Sequence, residues 1–248
     1  MDVTLVTLTN LPLLAEIEVG KHLIWQLGPF TVHGETLLTT WVVLAILLVL
    51  AFVGTRKLQR VPSGLQNFLE YVYDFIAGIA RDQIGEKDYR YYVPLVGTIF
   101  LFVFMSNWLG QLPLKLFQLP EGELASPTND INTTVSLALI ALCAYIYAGI
   151  RKSGFGYFKH YLESPILAAV WVLEFFTRPL SLSIRLFGNI LAEELVVGVL
   201  VSLTPFLVPA PLMILFLLTG AIQALVFSTL TASYIGEAVE DHHDDHHE

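Results

Sequence analysis

An all-α, polytopic membrane fold is predicted by three features of the sequence: its apolar composition, its charge-free windows of bilayer length, and its uneven distribution of basic residues. Of 248 residues, 55% are hydrophobic and 14% charged, with a mean hydropathy of +0.66; soluble domains carry about 25% charged residues. Charge-free windows run from Thr36 to Thr55, Tyr91 to Leu114 and Ile131 to Ile150. Each is about long enough to cross a ~30 Å hydrocarbon core as a helix. A further charge-free stretch, Leu195 to Gly236, is about twice as long, and Pro205, Pro209 and Pro211 within it demand a turn.

Short cytoplasmic loops collect Lys and Arg. Arg56, Lys57, Arg60, Arg81, Lys87 and Arg90 follow the first window, and Arg151, Lys152 and Lys159 follow the third. Both segments are therefore assigned to the cytoplasmic or stromal side. The N-terminal arm has only Lys21 and the loop from Gln111 to Asp130 only Lys115, which assigns them to the opposite side. The net charge of −9 is partly a tail effect, since six of the 22 acids lie between Glu237 and Glu248.

One membrane domain, 1–248, is expected. An arm, 1–35, precedes a first span, 36–57. The N-terminal MDVTLVTLTNLPLL lacks a basic n-region and a cleavage site, so the first span is expected to insert uncut. Over 63–85, Ser63 and Gln66 form a capping-box pattern, and Phe68, Leu69, Val72, Phe75, Ile76 and Ile79 recur at helical spacing among polar residues. This is an amphipathic helix that either lies on the basic side of the membrane or packs against its own protein. Windows 91–114 and 131–150 form a helical hairpin, their connection containing Pro120, Gly122 and Pro127. Segments 163–203 and 211–239 are helices longer than an upright crossing needs, so they must tilt, bend or divide, with Pro165 and Pro179 the weak points of the first. Five membrane helices plus one amphipathic surface helix result, followed by an acidic tail, 240–248. The tail, EDHHDDHHE, is expected to be a solvated end rather than a metal site. Cys143, the one cysteine, lies in an apolar run and is expected to fill the core.

Ionisable residues within membrane spans mark ion or substrate paths by default. Here Glu174, Arg178, Arg185, Glu193 and Glu194 concentrate in one segment. Arg178, beside Pro179, is expected to snorkel to the basic-side interface. Arg185 lies deeper and has no acid three or four residues away. Asn189 is its nearest helical partner; Glu193 falls about 80° round the helix, Glu194 on the opposite face and Glu174 on the same face. A guanidinium does not lose its proton in a protein. It therefore acts as a fixed charge that favours the ionised form of a nearby carboxylate and blocks direct proton passage. The alternative is that Arg185 pairs with Glu193 or Glu194 merely to hold helices together. Gln223, in GAIQALVF, can orient the guanidinium without cancelling its charge, or can make an ordinary hydrogen bond between helices. Glu193 and Glu194 suit an inlet from the acidic side and Glu174 an outlet to the basic side, unless each is an interface acid. Asp130 and Asn132, in TNDINTT, are candidates for a channel mouth, as is Tyr234.

Other chemistries lack their residues. His22, His33 and His160 are the only histidines outside the tail, so no span offers paired imidazoles for haem. There is no GxSxG, Walker A or HExxH pattern. No cofactor is expected, and no nucleic-acid partner. The lipid bilayer is the surrounding medium.

RPLSLSIRLFGNILAEEL followed by GAIQALVF closely resembles subunit a of F-type ATP synthases. VPSGLQNFLEY, SNWLGQLP, GELASPTNDINTTVSLAL and ASYIGEA are similar to its cyanobacterial and chloroplast form, so the resemblance covers nearly the whole chain. It implies a stator component, not an enzyme by itself, seated against a ring of c subunits and held by b-type peripheral-stalk subunits within the rest of the ATP synthase. Protons would enter one half-channel, ride the ring carboxylates and leave by another. On the matching positions Arg185 would face the ring carboxylate, Asn189 and Gln223 would be its polar neighbours, and Glu194 the inlet acid. Glu193 stands where several bacterial relatives have a small residue. The histidine of some bacterial last spans is absent from MILFLLTG at 213–220, which makes Glu193 the expected substitute. The membrane implied is thylakoid or bacterial plasma membrane, with the C-terminus on the stromal or cytoplasmic side.

Overall fold

A computed structural model describes residues 24–27, 30–56, 58–111, 126–154, 165–203 and 209–240. The expected tail from 241 onward, most of the N-terminal arm, and residues 112–125, 155–164 and 204–208 lie outside the described residues. Six α-helices make up nearly all of the described chain: α1 (Gly34–Thr55), α2 (Leu65–Ile84), α3 (Tyr89–Gln111), α4 (Ile131–Ser153), α5 (Pro165–Leu203) and α6 (Pro209–Val239). The arm adds an unpredicted antiparallel hairpin, β1 (Ile24–Leu27) paired with β2 (Phe30–His33). Ile24, Trp25, Phe30, Thr31 and Val32 are strand-forming types, and hydropathy windows are too coarse to register four-residue strands.

Four helices are long and apolar enough to cross a membrane: Gly34–Thr55, Tyr89–Gln111, Ile131–Lys152 and Ala210–Val239. The fifth long helix, α5, is a continuous run of 39 residues with Pro179 inside it. At 1.5 Å per residue it is about 58 Å long, and α6 about 46 Å, so each exceeds a ~30 Å hydrocarbon core. Pro179 does not divide α5, because a missing N–H removes one backbone bond while the flanking residues keep theirs.

The start of α2 departs from the expected capping box. Gly64, at φ 60°, precedes the helix and no side chain caps it. Gln66 instead reaches back seven residues, accepting from Gln59 N at 2.9 Å and donating to Gln59 O at 3.0 Å, while Ser63 Oγ donates to Gln59 Oε1 at 3.3 Å. The left-handed glycine places the helix start one residue late, so Ser63 and Gln66 are out of register for mutual capping. Ile76, Ala77, Ala80 and Ile84 form the buried stripe of α2, packed with Tyr92, Val93 and Val96 of α3 and Ala232 and Ile235 of α6. The helix thus packs against its own protein along one stripe, while Phe68, Tyr71, Tyr73 and Phe75 remain exposed. The close approach requires Gly236: a Cβ there would meet Gln83 O at 1.9 Å.

A second core joins α3 to α6. It contains Ile99 and Val103, Leu137 and Ala141, Leu182 and Leu186, and Ala224 and Phe227. Above it, a polar staple ties three elements together. Asn107 Nδ2 donates to Gly220 O at 3.0 Å and its Oδ1 accepts from Thr128 Oγ1 at 2.8 Å. Thr128 belongs to the 3₁₀ turn Pro127–Asn129 that leads into α4. Cys143 is not core filler: it is exposed. The buried stripe of α4 runs through Leu137, Ala138, Ala141, Leu142, Tyr145 and Ala148, and position 143 lies off that stripe at 100° per residue.

Candidate functional site

The ionisable residues of α5 resolve into three levels. At the middle level, Leu182 and Leu186 are buried in the second core, which turns Arg185 to the exposed flank of the helix. Its Nη2 donates to Ser181 Oγ at 3.4 Å. Among the described residues no carboxylate forms an ion pair with it, so Arg185 does not pair with Glu193 or Glu194. Asn189 turns away from Arg185, donating through Nδ2 to Glu193 Oε1 at 3.0 Å. Gln223 is buried in the adjoining stretch of α6, and its Nε2 has no hydrogen-bond partner.

Toward the C-terminal end of α5 lies an acid cluster. Glu193 is 5% exposed. Gln111 Nε2 of α3 donates to its Oε2 at 2.9 Å, and Asn189 of α5 and Thr219 of α6 donate to its Oε1. Neutral donors from three helices thus hold a buried carboxyl that, among the described residues, has no cation in ion-pair contact. Glu194, half-buried, accepts from Asn129 Nδ2. Asp130 caps α4, its Oδ1 accepting from Asn132 N and Asn132 Nδ2, each at 2.9 Å. The mouth candidates therefore engage each other, and their neighbour Asn129 makes the contact with Glu194.

Toward the N-terminal end lies an ionic cluster. Arg178 Nη2 donates to Glu174 Oε2 and to Glu237 Oε1, the latter at 2.7 Å. Its guanidinium sits 4.9 Å from the ring centroids of both Tyr145 and Tyr234. The side chain is only 10% exposed, so Arg178 does not snorkel. Two carboxylates and two aromatic faces offer it more than the interface does. Tyr234 forms a wall of this cluster, at the opposite end of α5 from Asp130 and Asn132. Glu237, counted with the tail by charge alone, is part of α6.

Gln111, Asn129, Thr219, Tyr145 and Glu237 escaped the sequence reading. The first three are uncharged, so a search for ionisable residues within spans passes over them. Their one signal is a polar side chain in or beside an apolar run: SNWLGQ, PTND and LLTGA.

Several helices long and apolar enough to cross a membrane, packed with ionisable side chains among them, define a polytopic membrane protein of the class in which such residues mark ion or substrate paths. Residues 37–236 match the family model for the ATP synthase A chain. The chain is 79% identical over 247 residues to ATP synthase subunit a of Gloeobacter violaceus, covering 100% of both chains. The chain belongs to the ATP synthase A chain family and is a membrane subunit of such a complex rather than an enzyme on its own.

Proposed function

We propose that the chain is the proton-conducting stator of a rotary ATP synthase, with two aqueous half-channels kept apart by Arg185 against a ring of c subunits. The observation that carries this reading is the position of Arg185. It is a permanent cation on the exposed flank of α5 with no carboxylate of its own among the described residues, between one buried acid site and one ionic cluster.

By helix rise, Glu193 lies about 12 Å from Arg185 along α5, and Glu174 about 16 Å the other way. A proton from the acidic side reaches Glu194 and Glu193 past Asp130, Asn132 and Asn129, then passes to a carboxylate of the ring. When a ring carboxylate comes round to Arg185, the guanidinium favours its ionised form, so the proton departs toward Glu174 and the basic side. Arg185 accepts no proton itself, which denies protons a straight path. One charge crossing 100 mV is worth about 2.3 kcal/mol, and a leak would forfeit that at every passage. Asn189 and Gln223 serve as polar neighbours of this exchange. The b-type stalk subunits hold the chain against the ring. The membrane is thylakoid or bacterial plasma membrane, with the C-terminus on the stromal or cytoplasmic side.

The test is ATP-driven proton pumping in inverted vesicles containing the whole complex with Arg185→Ala, after a native gel confirms assembly. Loss of pumping in an assembled complex supports the fixed-charge mechanism. Pumping near the wild-type rate would reduce Arg185 to a structural residue and remove the mechanism.

A further inference from the structure

Several cations on the basic side of the bundle already have partners. Lys152 pairs with Asp88 at 2.9 Å, and the Arg151 guanidinium lies 3.5 Å from the centroid of the Tyr91 ring. Arg81, near the end of α2, and Arg90, at the start of α3, differ. Both guanidinia rest on one ring, that of Tyr89, at 5.6 Å and 5.8 Å from its centroid. Arg90 Nε also donates to Tyr89 Oη at 3.2 Å. Among the described residues no carboxylate lies within ion-pair distance of either arginine.

The two arginines line one open cleft with Tyr73, Asp74, Ala77 and Tyr89. Asp74 lines the cleft and Glu86 lies near enough to act on the Tyr89 hydroxyl, but neither bonds a guanidinium, so both cations stay open to a further anion. Like charges gathered at one ring repel, and an anion seated between them gains from both. The place of the cleft, at the end of a candidate span, identifies the source of that anion. It opens where α3 begins at Tyr89; exposed Tyr73 lines it, and Tyr71 and Tyr91 are exposed two residues along the same two helices from Tyr73 and Tyr89. Exposed tyrosines at the end of a span are the composition of a membrane–water interface.

We infer that Arg81 and Arg90 bind the anionic headgroup, a phosphate or sulfonate, of a lipid in the leaflet on the basic side. Phe68 and Phe75, exposed on α2, supply apolar surface for its acyl chains. Free inorganic phosphate shares the headgroup chemistry but has no use for the aromatic surround or for membrane depth.

The probe is spin-labelled phosphatidylglycerol, added to the intact complex in phosphatidylcholine nanodiscs, with the immobilised fraction read by electron paramagnetic resonance. Arg81→Gln combined with Arg90→Gln should weaken phosphatidylglycerol binding at this site by about thirty-fold, taking each arginine at its usual contribution near an anionic lipid. Asp74→Asn should strengthen it, a change of opposite sign that misfolding does not produce. Equal binding by the wild type and the double variant overturns the proposal. Displacement of the label by millimolar inorganic phosphate assigns the cleft to a soluble anion and overturns the lipid source. A photo-crosslinking benzoylphenylalanine in place of Tyr73 should capture lipid; capture of another subunit instead would show a protein segment in the cleft and overturn the proposal as well.

Discussion

Arg178 of α5 donates to Glu237 of α6 across 2.7 Å, joining residues 59 positions apart. The same Nη2 also meets Glu174 one turn back on its own helix, so one guanidinium sets the register between the two longest helices. Its Nη1 is buried without a partner, which leaves the carboxylates and the two tyrosine faces to balance its desolvation.

Glu237→Gln should therefore loosen the α5–α6 contact without abolishing it. Glu237 is half-exposed and Glu174 remains, so the loss is about 1 kcal/mol. Thermal melting of the detergent-purified complex checks this. Combining it with Arg178→Gln should give less than the sum of the two single effects, because both changes remove the same bond.

Glu193→Gln keeps the volume but removes the proton-binding group and sets an amide N–H₂ among three donors. Pumping should fall by about one to two orders of magnitude, near the lower end of what a positioned acid–base group contributes, because Glu194 adjoins it. Fluorescence quenching in inverted vesicles measures the rate, with ATP hydrolysis by the detached catalytic part unchanged.

Asn107→Ala removes both bonds of the staple at once; Thr128 Oγ1 keeps Ser126 Oγ at 2.7 Å, while the Gly220 carbonyl loses its side-chain donor. A buried polar group left unmade costs about 1–3 kcal/mol. Asn107→Asp keeps the bond from Thr128 but cannot donate to Gly220, so it should also destabilise. Proteolysis of the purified complex reports the loosening.

Gly236→Ala places a methyl against the carbonyl of Gln83, where 1.9 Å is available. The end of α2 must move, at about 1–3 kcal/mol for an overpacked site. The yield of assembled complex on a native gel should fall, and Gly78→Ala, whose Cβ meets nothing within 4 Å, is the control.

The helices were legible because hydropathy is a property of long windows, and lipid leaves a chain no other way to satisfy its backbone. The site was legible wherever it used charge: Glu174, Arg178, Arg185, Glu193 and Glu194 stand out from apolar surroundings. What each charge touches was not. Arg178 was assigned to the interface because Glu237, its partner on another helix, is far away in sequence. Asn189 was paired with Arg185 by helical spacing, but Glu193, equally spaced on its other side, is the acceptor it takes. Gln111 and Thr219 carry no charge and come from helices whose packing against α5 no periodicity reports. The capping box failed for a local reason: Gly64 alone changes where α2 begins.

Among the described residues two side-chain cross-ties bind α5 to α6, Arg178 with Glu237 and Glu193 with Thr219. By helix rise they stand about 22 Å apart along α5 and about 27 Å apart along α6, with Arg185 between them. A pair of rods fastened at one level can slide or scissor; fastened at two, it becomes a truss. A sideways load applied at Arg185 is then met by bending of both helices together instead of by shear between them.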